Sequence, residues 1–201
     1  MTSYAVNFNN NSANAGSVCL YQAGTNANMP GMPLAWMCQP SNPGTSGSFR
    51  WTIDYEFIWG QTGTIVPGVI LLPSQMMSAD PNGMNQITFT QQSPGMAQFT
   101  NPTQGPPAGS LIIRQDASIP LNQMAVGISM SGAGTFAVQA QPNITAVFTP
   151  RPSYWITFGM YTAGQVLDPG STTNAAQITF PPDVFMMNAT LNPDNSWTIS
   201  A

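Results

Sequence analysis

Lysine and histidine are absent from these 201 residues. The whole charge inventory is Arg50, Arg114 and Arg151 against Asp54, Glu56, Asp80, Asp116, Asp168, Asp183 and Asp194. Without histidine the chain lacks the commonest general base and the commonest metal ligand, and without lysine it lacks the amine that grips phosphate. Three scattered arginines make no basic patch, and a net charge of −4 opposes nucleic acid and anionic membranes as partners. Long hydrophobic runs are missing too. The longest, Ile65 to Leu72, is broken by Pro67 and falls far short of the roughly 18 residues that span a bilayer, so no membrane insertion is expected. Residues 1–11 show neither the basic nor the apolar segment of a secretory signal. The expected location is the cytoplasm, or release without a visible signal peptide. Cys19 and Cys38 stand in no metal or redox spacing and are read as two reduced thiols. No cofactor and no metal is expected.

Hydrophobic residues, at 42% with five tryptophans, are sufficient for one sizeable folded domain over residues 1–201. Area scaling gives it roughly 9,000 Å² of surface, about 900 Å² for each of ten charges. Asn, Gln, Ser and Thr must therefore carry solvation, without the self-repulsion that keeps charged proteins apart.

Period two dominates the patterning. Phe49, Trp51, Ile53, Tyr55, Phe57 and Trp59 alternate with Arg50, Thr52, Asp54 and Glu56, as on a strand with one apolar face. The same alternation recurs at Tyr4-Val6-Phe8, Met124-Val126-Ile128-Met130 and Tyr154-Ile156-Phe158-Met160, and more briefly at residues 87–89, 136–138, 178–180 and 197–199. Turn signals punctuate the strands at Asn42-Pro43-Gly44, Asp80-Pro81-Asn82-Gly83, Asp168-Pro169-Gly170 and Asn192-Pro193-Asp194-Asn195. Nineteen prolines and eighteen glycines leave no window for a long helix. The fold class expected is all-β, an antiparallel β-sandwich of jelly-roll type with few or short helices. A hairpin is expected between 124–130 and 135–140, and a Pro/Gly-rich loop or excursion at about 91–109.

The motifs that suggest chemistry have plainer readings. Gly127-Ile128-Ser129-Met130-Ser131 misses the final glycine of a nucleophile elbow, and no histidine exists to activate a serine. Asp54 and Glu56, two apart on one strand with Arg50 on the same face, have the spacing of paired carboxylates, but the expected reading is a solvated polar face with one or two weak ion pairs. Trp155 breaks register with Tyr154, Ile156 and Phe158 and shares its face with Thr157 and Tyr161. Trp155 and Tyr161 are therefore the candidate surface aromatic pair, expected to be buried in a second layer or a subunit contact, with stacking on a sugar as the alternative.

Several runs carry a family likeness: Val18 to Gln22, Leu34-Ala35-Trp36, Phe49 to Trp59, Val66-Pro67-Gly68, Gln141-Pro142-Asn143 and Tyr154 to Gly159. Together they resemble the rhizosphere-expressed RhiA-like proteins of bacteria. The resemblance implies a soluble bacterial protein with no established enzymatic activity, made under population-density control in some relatives, and it supplies no catalytic residues. The expected function is a non-enzymatic, self-associating structural or interaction protein whose partner is itself. A lectin-like module binding glycans is the alternative, and a host-directed effector or toxin a remote one.

Overall fold

The computed structural model describes residues 2–23, 26–27 as backbone, 31–168, 170, 172 and 174–201. Within them there are eighteen strands and no helix. The first six are β1 (Ser3–Asn10), β2 (Gly16–Ala23), β3 (Asn26–Ala27), β4 (Met32–Pro33), β5 (Ala35–Ser41) and β6 (Ser46–Thr52). Then follow β7 (Tyr55–Gln61), β8 (Gln75–Ala79), β9 (Gln86–Gln91), β10 (Ala97–Thr103), β11 (Leu111–Gln115) and β12 (Met124–Met130). The last are β13 (Ala133–Gln139), β14 (Thr145–Thr149), β15 (Ser153–Gly159), β16 (Ala176–Ile178), β17 (Met186–Leu191) and β18 (Trp197–Ser200). The turn at Asp168-Pro169-Gly170 falls partly outside the described residues.

Four sheets form, in strand orders β18-β17-β1-β6, β16-β15-β2-β5, β4-β13-β12-β7-β8 and β10-β9-β11-β14-β3. They pack as two face-to-face pairs. The first two sheets enclose Val6, Phe8, Leu20, Trp36, Phe49, Trp51 and Ile156, making a terminal sandwich from both ends of the chain. The other two enclose Phe57, Trp59, Phe89, Ile113, Val126 and Phe148, making a central one. The protein is an all-β sandwich, but its apolar surface is divided between two main cores. Met130 at the end of β12 belongs to the terminal core, and half-buried Tyr55 packs against both. Pairing is mostly antiparallel; β1 with β17 and β9 with β11 run parallel.

The clearest alternation in the sequence proves to be two strands. At Ile53 and Asp54 the chain leaves β6 and enters β7 in a different sheet. Phe49 and Trp51 fill the terminal core while Phe57 and Trp59 fill the central one. Ile53 is 42% exposed because it sits on the crossover. Period two survives the crossing, since side-chain parity is a local property and the identity of the facing sheet is not.

The hairpin of β12 and β13 closes through Ser131 and Gly132, at φ of 51° and 74°, the double positive φ that suits strand twist. Glycine supplies the second position without steric cost. At the first, the Ser131 hydroxyl accepts from Thr52 N at 2.8 Å and lies 3.0 Å from Thr52 O. The turn of the central sandwich is thereby tied to the crossover.

The segment at 91–109, expected as a loop, contains β10, which pairs with β9 through a turn at Ser93 to Met96. Proline is tolerated there because β10 is an edge strand. Beyond it, buried Asn85 holds residues 105–110. Its Nδ2 donates to the carbonyls of Gly105, Pro107 and Ser110, and its Oδ1 accepts from Gly105 N. Amides seal edges elsewhere as well. Gln75 Oε1 accepts from Trp59 Nε1 and from Phe99 N of β10, and Gln39 Nε2 donates to Ser48 O of β6. Side chains of this kind replace absent neighbouring strands.

The reading of Cys19 and Cys38 as free thiols is corrected. They form a disulfide with Cα atoms 4.1 Å apart, because they stand directly opposite each other on β2 and β5. Their separation of 19 residues says nothing of that pairing until the register of the two strands is known.

Candidate functional site

The outward face of the β18-β17-β1-β6 sheet follows from parity. Val6 and Phe8 point inward, so Asn7 and Asn9 point out, flanked by Ser46 and Ser48 of β6 and by Asn188 and Thr190 of β17. Register aligns them in two rows, Ser200-Asn188-Asn7-Ser48 and Thr198-Thr190-Asn9-Ser46. Neighbours lie about 4.8 Å apart across strands and rows about 6.7 Å apart along them. Asn7 Nδ2 donates to Asn188 Oδ1 at 3.3 Å, Ser46 Oγ to Asn9 Oδ1 at 3.1 Å and Asn9 Nδ2 to Asn11 Oδ1 at 2.7 Å. Asn7, Asn9, Ser46, Ser48, Asn188 and Thr190 line a groove of about 600 Å³ in which none of the described residues is charged. Arg50 falls one row further along the same sheet, opposite Ala5.

Asp54 and Glu56 both line a second groove, at the crossover, joined there by Asp80. Asp54 is on the connecting turn and Glu56 on β7, so they are not neighbours on one regular strand. Each carboxylate already accepts hydroxyl protons: Asp54 Oδ1 from Thr52 at 2.6 Å and Ser131 at 3.1 Å, Glu56 Oε2 from buried Ser129 at 2.8 Å. Asp80 Oδ1 accepts from Asn82 N in its own turn. Arg50 is exposed and makes no ion pair with these acids among the described residues. Their hydrogen bonds fix the crossover and the β12–β13 turn. Among the described residues no group of three or more His, Cys, Asp or Glu is arranged to hold a metal ion.

Trp155 and Tyr161 are brought together on the outer face of the β16-β15-β2-β5 sheet, in a small cluster with Tyr21, Ala35, Cys38 and Leu167. Trp155 stacks on Tyr21 with centroids 6.2 Å apart, and its Nε1 donates to Ser153 Oγ at 3.1 Å. Tyr161 packs over Gly159. Burial, and then the neighbouring Tyr161, pushes the Tyr21 phenol up. Both candidates are half-buried.

The uncharged face went unnoticed in the sequence although its signal is there: Asn, Ser or Thr at alternate positions of 7–9, 46–48, 188–190 and 198–200. Each run is short, and only sheet order makes the four into one surface.

A model of the RhiA family matches residues 1–201. This chain belongs to the RhiA family. It is 37% identical, over 203 aligned residues, to Protein RhiA of Rhizobium leguminosarum bv. viciae, covering 99% of this chain and 87% of that one. No solved structure matches. The family's name carries no chemistry.

Proposed function

We propose that this RhiA-family protein is a non-enzymatic interaction protein that self-associates, as homo-oligomers or larger assemblies, through its uncharged sheet surface. The observation that supports the reading is the groove on the terminal sandwich, lined by amide and hydroxyl groups of three strands, β1, β6 and β17, with no charge among the described lining residues. Amides donate and accept at once, so the same face on a second copy offers complementary partners in either orientation. Two charged faces of one sign would repel. Only ten charges over a surface of 9017 Å² leave little else to keep copies apart. The cystine favours an oxidising setting over the cytosol, so of the two expected locations we favour release.

Sedimentation velocity over a concentration series tests the proposal. Association should rise with concentration and change little between low and high salt, because it does not rest on ion pairs. Asn7→Lys with Asn188→Lys, both on the open face, should weaken it by setting like charges against each other. A strictly monomeric protein at the highest concentration, or association abolished by salt alone, refutes the proposal.

A further inference from the structure

A separate cavity of about 360 Å³ opens where the chain leaves the terminal sandwich at Ile53 and re-enters it at Pro152. Its size is within the ordinary range for small-molecule sites, and junctions between packed units are where such sites concentrate. Its walls are aromatic. Phe180 meets Tyr4 edge-on at 5.1 Å and Tyr154 edge-on at 5.9 Å, and Phe185, 45% exposed, extends the cluster from Tyr4 at 5.6 Å. The rest of its lining mixes apolar Ile53, Pro152 and Ile178 with the hydroxyls of Ser153 and Thr179 and the amide of Gln177, whose Nε2 donates to Ser153 Oγ at 3.1 Å. No charged residue lines it among the described residues.

The Tyr154 ring, 7% exposed, forms an inner wall. Its hydroxyl has less than 1 Å² of accessible surface, and among the described residues neither it nor Trp51 Nε1 has an aligned hydrogen-bond partner, although their rings lie 5.0 Å apart and, while burial pushes the phenol's pKa up, the indole lowers it. Trp51 packs on the Tyr154 and Phe180 rings that wall the cavity, so its indole N–H reports on occupancy.

Apolar ring faces and a rim carrying uncharged hydroxyl and amide groups suit a guest that is itself apolar on its C–H face and ringed by hydroxyls. We propose that this cavity binds a neutral pyranose unit of a glycan, with Phe180 and Tyr4 against its C–H face and Gln177 and Thr179 on its oxygens. A cationic or anionic ligand would enter without a counter-charge. The site adjoins the Trp155 cluster, since Ser153 at its rim accepts from both Trp155 Nε1 and Gln177 Nε2, and it does not depend on self-association.

The test is an NMR titration of dilute protein with the methyl glycosides of glucose, galactose, mannose and N-acetylglucosamine, following the Trp51 indole N–H. Benzyl alcohol serves as a ring without the sugar's oxygens. Concentrations of about 10 mM expose dissociation constants near 1 mM. At least one glycoside should shift the Trp51 signal saturably while leaving that of Trp59, in the central core, in place. Phe180→Leu should weaken binding at least about tenfold. Ile53→Arg, a change at an exposed position that crowds the mouth without touching the core, should do the same, whereas Leu121→Arg on a distant turn should change nothing. A shift with benzyl alcohol alone, no shift with any glycoside, or binding that survives both Ile53→Arg and Phe180→Leu would each overturn the proposal.

Discussion

Breaking the Cys19–Cys38 bond should lower stability by an amount the chain length sets. The bond closes a loop of 19 residues, and confining a loop of that size in the unfolded chain is worth about 3 kcal/mol. Unfolding a chain of this length carries an entropy of roughly 0.4 kcal/mol per degree, so the midpoint should fall by about 7–8 °C. Reduction is a cleaner perturbation than substitution, because both sulfurs remain and Cys19, wholly buried, leaves no cavity. The protein should be unfolded, reduced, refolded in a phosphine reductant and melted beside the oxidised form, with circular dichroism as the signal. The oxidised protein, denatured and exposed to a thiol reagent, should release no free thiol. A reduced midpoint within about 2 °C of the oxidised one would refute the loop-entropy reasoning, and two reactive thiols in the untreated protein would refute the bond itself.

Gln75→Ala should cost at least about 2 kcal/mol, since it strands both the Trp59 indole N–H and the Phe99 backbone N–H at about 1–3 kcal/mol each; Gln75→Glu, which keeps the acceptor, should cost less, as denaturant midpoints will show. Asn85→Asp replaces a donor to three carbonyls with an acceptor at a site 1% exposed, and should cost at least about 3 kcal/mol and open residues 105–110 to early proteolysis. Stability should be nearly flat from about pH 5 to about pH 9, because with the cystine intact no side chain titrates there; a large change in melting temperature across that window contradicts the inventory. Above it Tyr55 acts, its pKa pushed up to about 12 by burial and then by Tyr154. The folded state holds that proton more tightly than an unfolded chain titrating near 10, so the contribution is whole below pH 10, fades as pH rises through 12, and should be absent in Tyr55→Phe. On the acid side burial raises Asp116, but hydrogen bonds from Ser118 and Thr90 outweigh it and hold the pKa low. That stability is present above about pH 4 and is lost as pH falls below it, which an acid titration of Asp116→Asn against the parent should show.

What the residues determine alone is local. Alternation at Tyr4 to Phe8 and Tyr154 to Phe158 assigns strands and says which side chain goes inward, because parity needs no knowledge of partners; at Met124 to Met130 it assigns the strand, but β12 is buried throughout and has no outer face for parity to name. Missing lysine and histidine fix a surface dominated by amides and hydroxyls in any fold. What the tertiary structure decided is every relation between distant segments. It divided Phe49 to Trp59 between two cores, set Cys19 against Cys38, found β10 within a proline-rich stretch and gathered four short polar runs into one face. It also placed Ile53, Pro152 and Phe180 around a common cavity. Each depends on sheet order and register, set by the sum of many weak packing terms over the whole chain. A strand's own sequence states its two faces, but it does not name the sheet that will cover either of them.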